Sequence, residues 1–185
     1  MRYWPLFIFL LLFTGCSLPK THIGAPAVLD DTPASQLLNI SFKRWSKPIF
    51  SGLLAIKRGD KTISYVLLDS SGLTLAQALV NHDGNYSELK AVPKITDSGL
   101  PSFLARALWR IYLLTPGRKP CSHSLLFKFC AEYDKVSGHK YVGMGPFTLF
   151  DIKYLKEKKD EAISTTVYSQ PWFGIQITLK QLKLN

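Results

Sequence analysis

Two cysteines and two histidines lie close together in the second half of the chain, at Cys121, His123, Cys130 and His139. Thiolates and imidazoles are side chains that bind zinc, and a pair of thiols can instead close a disulfide. The spacing of these four residues matches no standard zinc pattern. The spacing therefore leaves both chemistries open, and the compartment of the protein decides between them.

The third cysteine, Cys16, follows a segment that is typical of a secretory signal. Arg2 gives a positive start, residues 3–13 form an apolar run, and Gly15 supplies a small residue at the cleavage site. The stretch Leu12-Phe13-Thr14-Gly15-Cys16 resembles the bacterial lipobox. This resemblance implies that the Cys16 thiol receives a diacylglycerol and that Cys16 becomes the mature N-terminus.

Lipidation has two alternatives, an ordinary signal peptide with an incidental cysteine and a retained membrane-spanning helix. A spanning helix needs about 20 apolar residues, and Pro5 interrupts a run that already ends before Cys16. We therefore expect residues 1–15 to be a lipoprotein signal peptide and Cys16 to carry diacylglycerol and an N-acyl chain such as palmitate. Ser17 in place of Asp implies, by the lipoprotein sorting rule, an outer-membrane location facing the periplasm of a Gram-negative cell.

Export favours the disulfide over the metal site. Disulfides form and persist outside the cytoplasm, so we expect Cys121 and Cys130 to be bonded. Closing so short a loop can stabilise the fold by up to about 3 kcal/mol. A zinc site made with His123 and His139 stays the alternative, and no metal or cofactor is otherwise expected.

The composition indicates one globular domain with a cationic surface. Hydrophobic residues make up 46% of the chain and charged residues 19%, which suits a folded core. The formal net charge of +10 favours anionic surfaces such as lipid headgroups. Export separates the protein from nucleic acid, so nucleic acid is not an expected partner. Prolines among small and polar residues over 16–38 predict a flexible tether, with a short helix as an option from Ala34, and the folded domain is expected over 39–185.

The sequence contains no recognisable catalytic pattern. The histidines stand in neither a serine-elbow nor a metalloprotease motif. Gly143-Met144-Gly145 lacks the third glycine and the following helix of a nucleotide-binding loop. We therefore expect a protein that is not an enzyme, with catalytic carboxylates brought together only by the fold as the alternative.

Strand-like runs separated by Gly and Asp turns fill most of the remaining chain, which predicts an antiparallel meander. The predicted strands cover Ile49–Lys57, Thr62–Leu68, Leu73–Val80, Tyr86–Val92, Phe147–Leu155, Ala162–Ser169 and Phe173–Leu184. One amphipathic helix is predicted between Asp97 and Leu114, capped by Asp97 or Ser98. Its apolar stripe consists of Leu100, Phe103, Leu104, Ala107, Leu108 and Ile111.

The order of lipobox, tether, strands, helix and further strands resembles the LolA/LolB superfamily of lipoprotein-localisation factors. The match includes Phe50 to Ile56, Leu67 to Leu75, Leu100 to Pro116, and Trp172 with the run from Ile175 to Leu184. Where LolB has an exposed apolar residue in a Pro-Leu-Gly turn, this chain has Ser71-Gly72-Leu73. The chain is most similar to an uncharacterised proteobacterial lipoprotein family of LolB-like fold.

The resemblance implies a mostly β fold, with a curved antiparallel sheet, or incomplete β-barrel, covered by one main amphipathic helix. It also implies an apolar cavity that binds an acyl chain or a lipid-linked molecule in lipid or lipoprotein transport or envelope biogenesis, with a periplasmic carrier protein as a further partner. The residues expected to bind the ligand are Leu54, Ile56, Tyr65, Leu67, Phe103, Leu104 and Leu108. The alternative function is a structural or accessory envelope lipoprotein with a filled core and a protein partner.

Overall fold

Eleven antiparallel strands form one sheet in the computed structural model, which describes residues 34–116, 120–134, 137–156 and 163–182. The strands are β1 (Ser35–Arg44), β2 (Lys47–Arg58), β3 (Thr62–Leu68), β4 (Thr74–Asn81), β5 (Tyr86–Ala91), β6 (Cys121–His123), β7 (Phe127–Tyr133), β8 (Ser137–Met144), β9 (Phe147–Lys156), β10 (Ile163–Gln170) and β11 (Ile175–Gln181). Their order across the sheet is β5-β4-β3-β2-β1-β11-β10-β9-β8-β7-β6. The sheet is not closed, and β5 and β6 are its two edges.

Alternation of apolar side chains explains why the central strands form. Ile63, Tyr65 and Leu67 on β3 are fully buried, and Ala76 and Ala78 on β4 are buried beside them. Successive side chains of a strand point to opposite faces, so each of these sets lies on one face of the sheet. The predicted antiparallel meander is confirmed for this half of the protein.

The folded domain begins earlier than the expected residue 39, with a strand, β1, that was not among the predicted strands. β1 starts at Ser35, inside the segment assigned to the tether, and its register places Ser35 opposite Lys57 on β2. The optional helix from Ala34 is therefore wrong, because β1 gains backbone hydrogen bonds from two neighbours, β2 and β11. Strands β6, β7 and β8 also lie in a region where no strand was predicted.

The connection from β5 to β6 contains the helices. The short helix α1 (Pro93–Asp97) precedes α2 (Leu100–Leu108), and a single π-helical turn, Trp109–Leu113, continues directly from α2. The N-cap of α2 is Gly99 rather than Asp97 or Ser98, although the Ser98 hydroxyl accepts the Leu100 N–H at 3.2 Å. Within the described residues, no helix has the length and apolarity needed to cross a bilayer.

The sheet curves around the helical segment. Trp109 Nε1 donates to the His82 carbonyl in the turn between β4 and β5, at 2.8 Å. Two residues later, the Ile111 carbonyl accepts a hydrogen bond from Lys140 on β8, also at 2.8 Å. β4 and β8 are seven strand intervals apart, which would be about 34 Å in a flat sheet. One turn of helix reaches both strands only because the sheet wraps around it.

Candidate functional site

The seven residues predicted to bind a ligand belong to α2, β2 and β3 and lie in the hydrophobic core. Leu54, Ile56, Tyr65, Leu67, Leu104 and Leu108 are buried, and Phe103 is partly buried and packs against this core. The Tyr65 hydroxyl donates to the Pro101 carbonyl at 2.8 Å, which ties β3 to the first turn of α2. The structure thus brings the seven together as core, and their role in ligand binding stays a prediction.

A different part of the molecule contains a large apolar cavity, with a volume of about 730 Å³. It lies beyond the end of α2, between the π-helical turn and strands β7, β8 and β9. This volume falls in the range of roughly 300–1,000 Å³ that is typical of small-molecule sites. The lining residues are Trp109, Arg110, Leu114, Phe127, Phe129, Val142, Met144, Phe147, Leu149, Phe150, Gln170, Trp172 and Phe173.

Cross-strand register builds the apolar wall of this cavity. Phe129 on β7 lies opposite Val142 on β8, which in turn lies opposite Phe150 on β9. Next to this row, Met144 on β8 lies opposite both Phe127 and Phe147. Residues two apart on a strand share a face, so the two rows form one continuous apolar surface.

A β-bulge adds a further side chain to the wall. The register of β8 against β9 shifts between Val142 and Gly143, which leaves Leu149 as an extra residue on β9. A bulge re-aims side chains that would otherwise point to the opposite face. This explains how Leu149 and Phe150, although adjacent in sequence, both line the cavity.

The mouth of the cavity is formed by exposed aromatic residues. Phe147, Trp172 and Phe173 are 46%, 55% and 59% exposed, and the rings of Phe147 and Trp172 meet with centroids 4.9 Å apart. Trp172 and Phe173 belong to a 3₁₀ turn, Pro171–Phe173, that follows β10. The cavity therefore has a buried floor and a mouth at the end of the sheet where β10 turns into β11.

The same end of the sheet carries other exposed apolar side chains at its turns. Trp45, Leu73, Leu125 and Leu126 are all more than half exposed. Trp45 packs against Gly174, where a Cβ atom would lie 2.3 Å from the indole ring, so only glycine fits. We call this group of turn residues, together with the mouth, the apolar end of the sheet.

Arg110 is the charged residue in the cavity wall, and it lies beside two polar groups. Its guanidinium donates to the Tyr168 hydroxyl at 2.5 Å, and the Gln170 side-chain amide donates to the same hydroxyl at 2.8 Å. The guanidinium carbon also lies 4.8 Å from the centre of the Phe150 ring. Burial raises the pKa of Tyr168, while the charges of Arg110 and Arg106 oppose that rise. The phenol therefore stays neutral at physiological pH.

Lys140 on β8 is a fully buried cation next to the cavity. Its Nζ donates to the carbonyls of Arg110, Ile111 and Leu114 at 2.8, 2.8 and 2.9 Å. The Tyr154 hydroxyl adds a further hydrogen bond to the Ile111 carbonyl, at 2.5 Å. Burial lowers the pKa of Lys140 to about 7. These contacts fix the end of the helical segment, and with it Arg110 and Leu114, in the cavity wall.

The predicted disulfide between Cys121 and Cys130 is confirmed. The two residues lie directly opposite each other on β6 and β7, with their Cα atoms 4.1 Å apart. Bonded sulfurs are not thiolates, so these cysteines cannot join His123 and His139 in a zinc site. In the described ranges, no group of three or more His, Cys, Asp or Glu residues could hold a metal ion. His139 instead contacts Asp151 through Nε2 and Oδ1. Cys16 lies outside the described residues.

Four cavity residues, Phe127, Phe129, Val142 and Met144, come from the segment where no strand was predicted, and one signal for them was present in the sequence. Phe127 and Phe129 alternate with Lys128 and Cys130, which is the pattern of a half-buried strand. The contribution of Arg110 and of the turn from Trp172 to Phe173 has no comparable signal. Those residues meet β7 and β8 only through tertiary contacts.

Comparisons with known proteins give little further information. No family model matches the chain, and no curated protein matches it. A crystal structure of a DUF1329 family protein from Desulfovibrio piger ATCC 29098 matches with 12% sequence identity and a TM-score of 0.29. The match covers 83% of this chain and 85% of that chain. A similarity of this size transfers neither fold nor function between the two proteins.

Proposed function

We propose that this protein is a lipid-anchored envelope protein of LolB-like fold that binds an acyl chain or a lipid-linked molecule in its apolar cavity. The observation that carries the proposal is the cavity of about 730 Å³, walled by aromatic and aliphatic side chains and open at one end. Its place in lipid or lipoprotein transport, its outer-membrane location and its lack of enzymatic activity belong to the same proposal.

The physical basis is the transfer of hydrocarbon from water to an apolar wall. Each methylene group removed from water contributes about 0.8 kcal/mol. Phe129, Val142 and Phe150 form a buried floor that a chain can cover. A site of this kind selects hydrocarbon without selecting a particular chain, so several lipids of similar length should bind.

The surroundings of the mouth support a partner that is itself a lipid surface. Lys43, Arg44 and Lys47 are exposed on either side of Trp45 in the turn between β1 and β2. Exposed aromatic and leucine side chains flanked by basic residues are the combination that favours anionic bilayer interfaces. A lipid could then enter the cavity from the same end of the molecule that meets the membrane.

The exposed turn residues also support the alternative, a structural or accessory lipoprotein with a protein partner. Leu125 is fully exposed and Leu126 is 57% exposed, and both lie in the turn between β6 and β7. Exposed apolar patches mark protein interfaces as well as membrane contacts. Under this alternative no lipid occupies the cavity, and a substitution that fills the cavity leaves binding of the protein partner unchanged.

A variant that fills the cavity tests the proposal. Val142→Trp should place an indole in the cavity and abolish binding of a fluorescent fatty acid, whereas Val167→Trp puts the same ring on β10 outside the cavity wall. Lipid extraction from the purified protein, followed by mass spectrometry, should find acyl-chain ligand with the parent and with Val167→Trp. Unchanged probe binding by Val142→Trp, or no bound lipid in the parent, contradicts the proposal.

A further inference from the structure

Arg110 is a half-buried cation placed in an otherwise apolar wall. Apart from indole N–H groups, its guanidinium and the Gln170 amide are the polar groups among the residues that line the cavity. Removing a charge from water is costly unless the charge is paired. A guanidinium in this position therefore needs an explanation beyond packing.

The contacts of Arg110 use little of its capacity to donate hydrogen bonds. A guanidinium carries five N–H donors in a planar fork, and one of them donates to the Tyr168 hydroxyl. In the part of the chain that the structure describes, the ion pair found is between His139 and Asp151, and no carboxylate pairs with Arg110. The guanidinium carbon lies over the uncharged Phe150 ring, 4.8 Å from its centre, so this contact leaves the positive charge without an anionic partner.

We propose that Arg110 binds the anionic head group of an amphiphile whose acyl chain fills the cavity, an inference that rests on the proposed function. The preferred ligand then carries a carboxylate or a phosphate, because both present oxygens that match the guanidinium fork. The Tyr168 hydroxyl positions the guanidinium by accepting its hydrogen bond, and the Gln170 amide, which donates to the same hydroxyl, holds that hydroxyl in place. Arg110 thus gives the cavity a polar end and orients the ligand.

Three ligands with the same sixteen-carbon chain test this proposal, namely palmitate, hexadecyl phosphate and hexadecan-1-ol. The purified full chain should bind at least one of the two anions about ten- to hundredfold more tightly than the alcohol, as expected for charge-assisted hydrogen bonds. The tighter anion identifies the head-group chemistry. The change in fluorescence as ligand alters the surroundings of Trp109 and Trp172 in the wall provides the readout.

Arg110→Met should bring the ratio of anion affinity to alcohol affinity close to one. Binding of the alcohol should persist, and this binding also shows that the variant folds. Arg106→Met is the matched control, because Arg106 lies one turn earlier on the same helix, is exposed and does not line the cavity. It should keep the ratio within about twofold of the parent, since exposed charges contribute little. Arg110→Lys should retain part of the preference.

Two results would overturn the head-group assignment while leaving the proposed function intact. One is equal affinity of the parent for the anions and the alcohol. The other is an anion preference that Arg110→Met does not reduce, or that Arg106→Met reduces equally. If none of the three ligands binds the parent, the proposed function and this inference both fail.

Discussion

Lys140 is a buried cation that is bound by backbone carbonyls. An ammonium has three N–H donors, and the carbonyls of Arg110, Ile111 and Leu114 accept one hydrogen bond each. The last carbonyls of a helical segment have no partner within the helix and carry partial negative charge. Lys140 therefore ends the helical segment as a cap contributed by a neighbouring strand.

Lys140 should make stability depend on pH. Its folded pKa of about 7 lies below the usual lysine value of 10.5, so the unfolded state binds more protons between pH 7 and 10. The free energy of unfolding should therefore rise with pH in this range, by up to about 1.4 kcal/mol per pH unit. Urea unfolding at pH 7, 8 and 9 should show this rise in the parent and in Lys153→Met, which removes an exposed lysine, but not in Lys140→Met.

The buried tyrosines do not interfere with that comparison. Burial raises the pKa of Tyr112 and of Tyr133 to about 12, so the stability they contribute is lost only as the pH rises above about 10. Lys140→Met retains these tyrosines. Equal slopes for the parent and Lys140→Met between pH 7 and 9 would contradict the assignment.

Single residues differ in how far the sequence reveals their role. The bond between Cys121 and Cys130 could be predicted because the N-terminal segment is typical of a secretory signal, and disulfides persist in exported proteins. The role of Lys140 could not, because a lysine in a strand is ordinarily exposed. Its acceptors lie on a helix that is distant along the chain, and sequence spacing does not reveal such a contact.

Among the helices and strands, the best-predicted ones have regular apolar patterns. β3, β4 and α2 were predicted, because their buried side chains recur at steps of two or of three and four. β8 was missed because its buried positions are Gly138, Lys140 and Val142, and the first two break the alternation. β6 is three residues long, too short for any periodicity.

Substitutions of two leucines, Leu108 and Leu114, can distinguish the role of the core from that of the cavity. Leu108 is fully buried in the core, whereas Leu114 lines the cavity. Leu108→Ala should lower the free energy of unfolding by about 2–5 kcal/mol and leave fatty-acid binding in place. Leu114→Ala should cost less, because its side chain already borders open space, and it should weaken binding.

Urea unfolding and titration with a fluorescent fatty acid measure both effects in the same preparations. Equal losses of stability at the two positions would mean that the region around Leu114 is packed as tightly as the core. Weakened binding by Leu108→Ala without a loss of stability would instead place the ligand beneath α2, among the seven residues that the sequence predicts.

At the scale of the whole molecule, long-range pairing decides the fold. β1 pairs with β11, the first described strand with the last, so the two ends of the domain meet in the middle of the sheet. The LolB-like resemblance implied a curved sheet with one main helix, and the antiparallel sheet with that helix is what the structure shows. The position of the cavity could not be predicted, because Arg110, Val142 and Phe173 come together only when the sheet curves.

The proposed lipid anchor concerns the whole protein and can be tested at that scale. Cys16→Ser should leave the protein unprocessed or released from the membrane fraction, because the several acyl chains of a bacterial lipoprotein anchor it stably and their attachment is lost. Cell fractionation and mass spectrometry of the N-terminal peptide measure this. A double variant, Cys121→Ser with Cys130→Ser, removes the other two cysteines, which form the disulfide, but should remain lipidated. Membrane association of Cys16→Ser equal to that of the parent contradicts the assignment.

An open sheet also has consequences for self-association. Edge strands present unpaired backbone groups on which a second molecule can add a strand, which is a route to aggregation. β6 offers only three residues for such pairing, and the disulfide holds it against β7. β5 is six residues long and carries the exposed charged residues Glu88 and Lys90, which are of the kind that protect edge strands from pairing with another chain. The opening between the two edges thus leaves room for the helices and the cavity without offering a long, uncharged strand on which fibrils could grow.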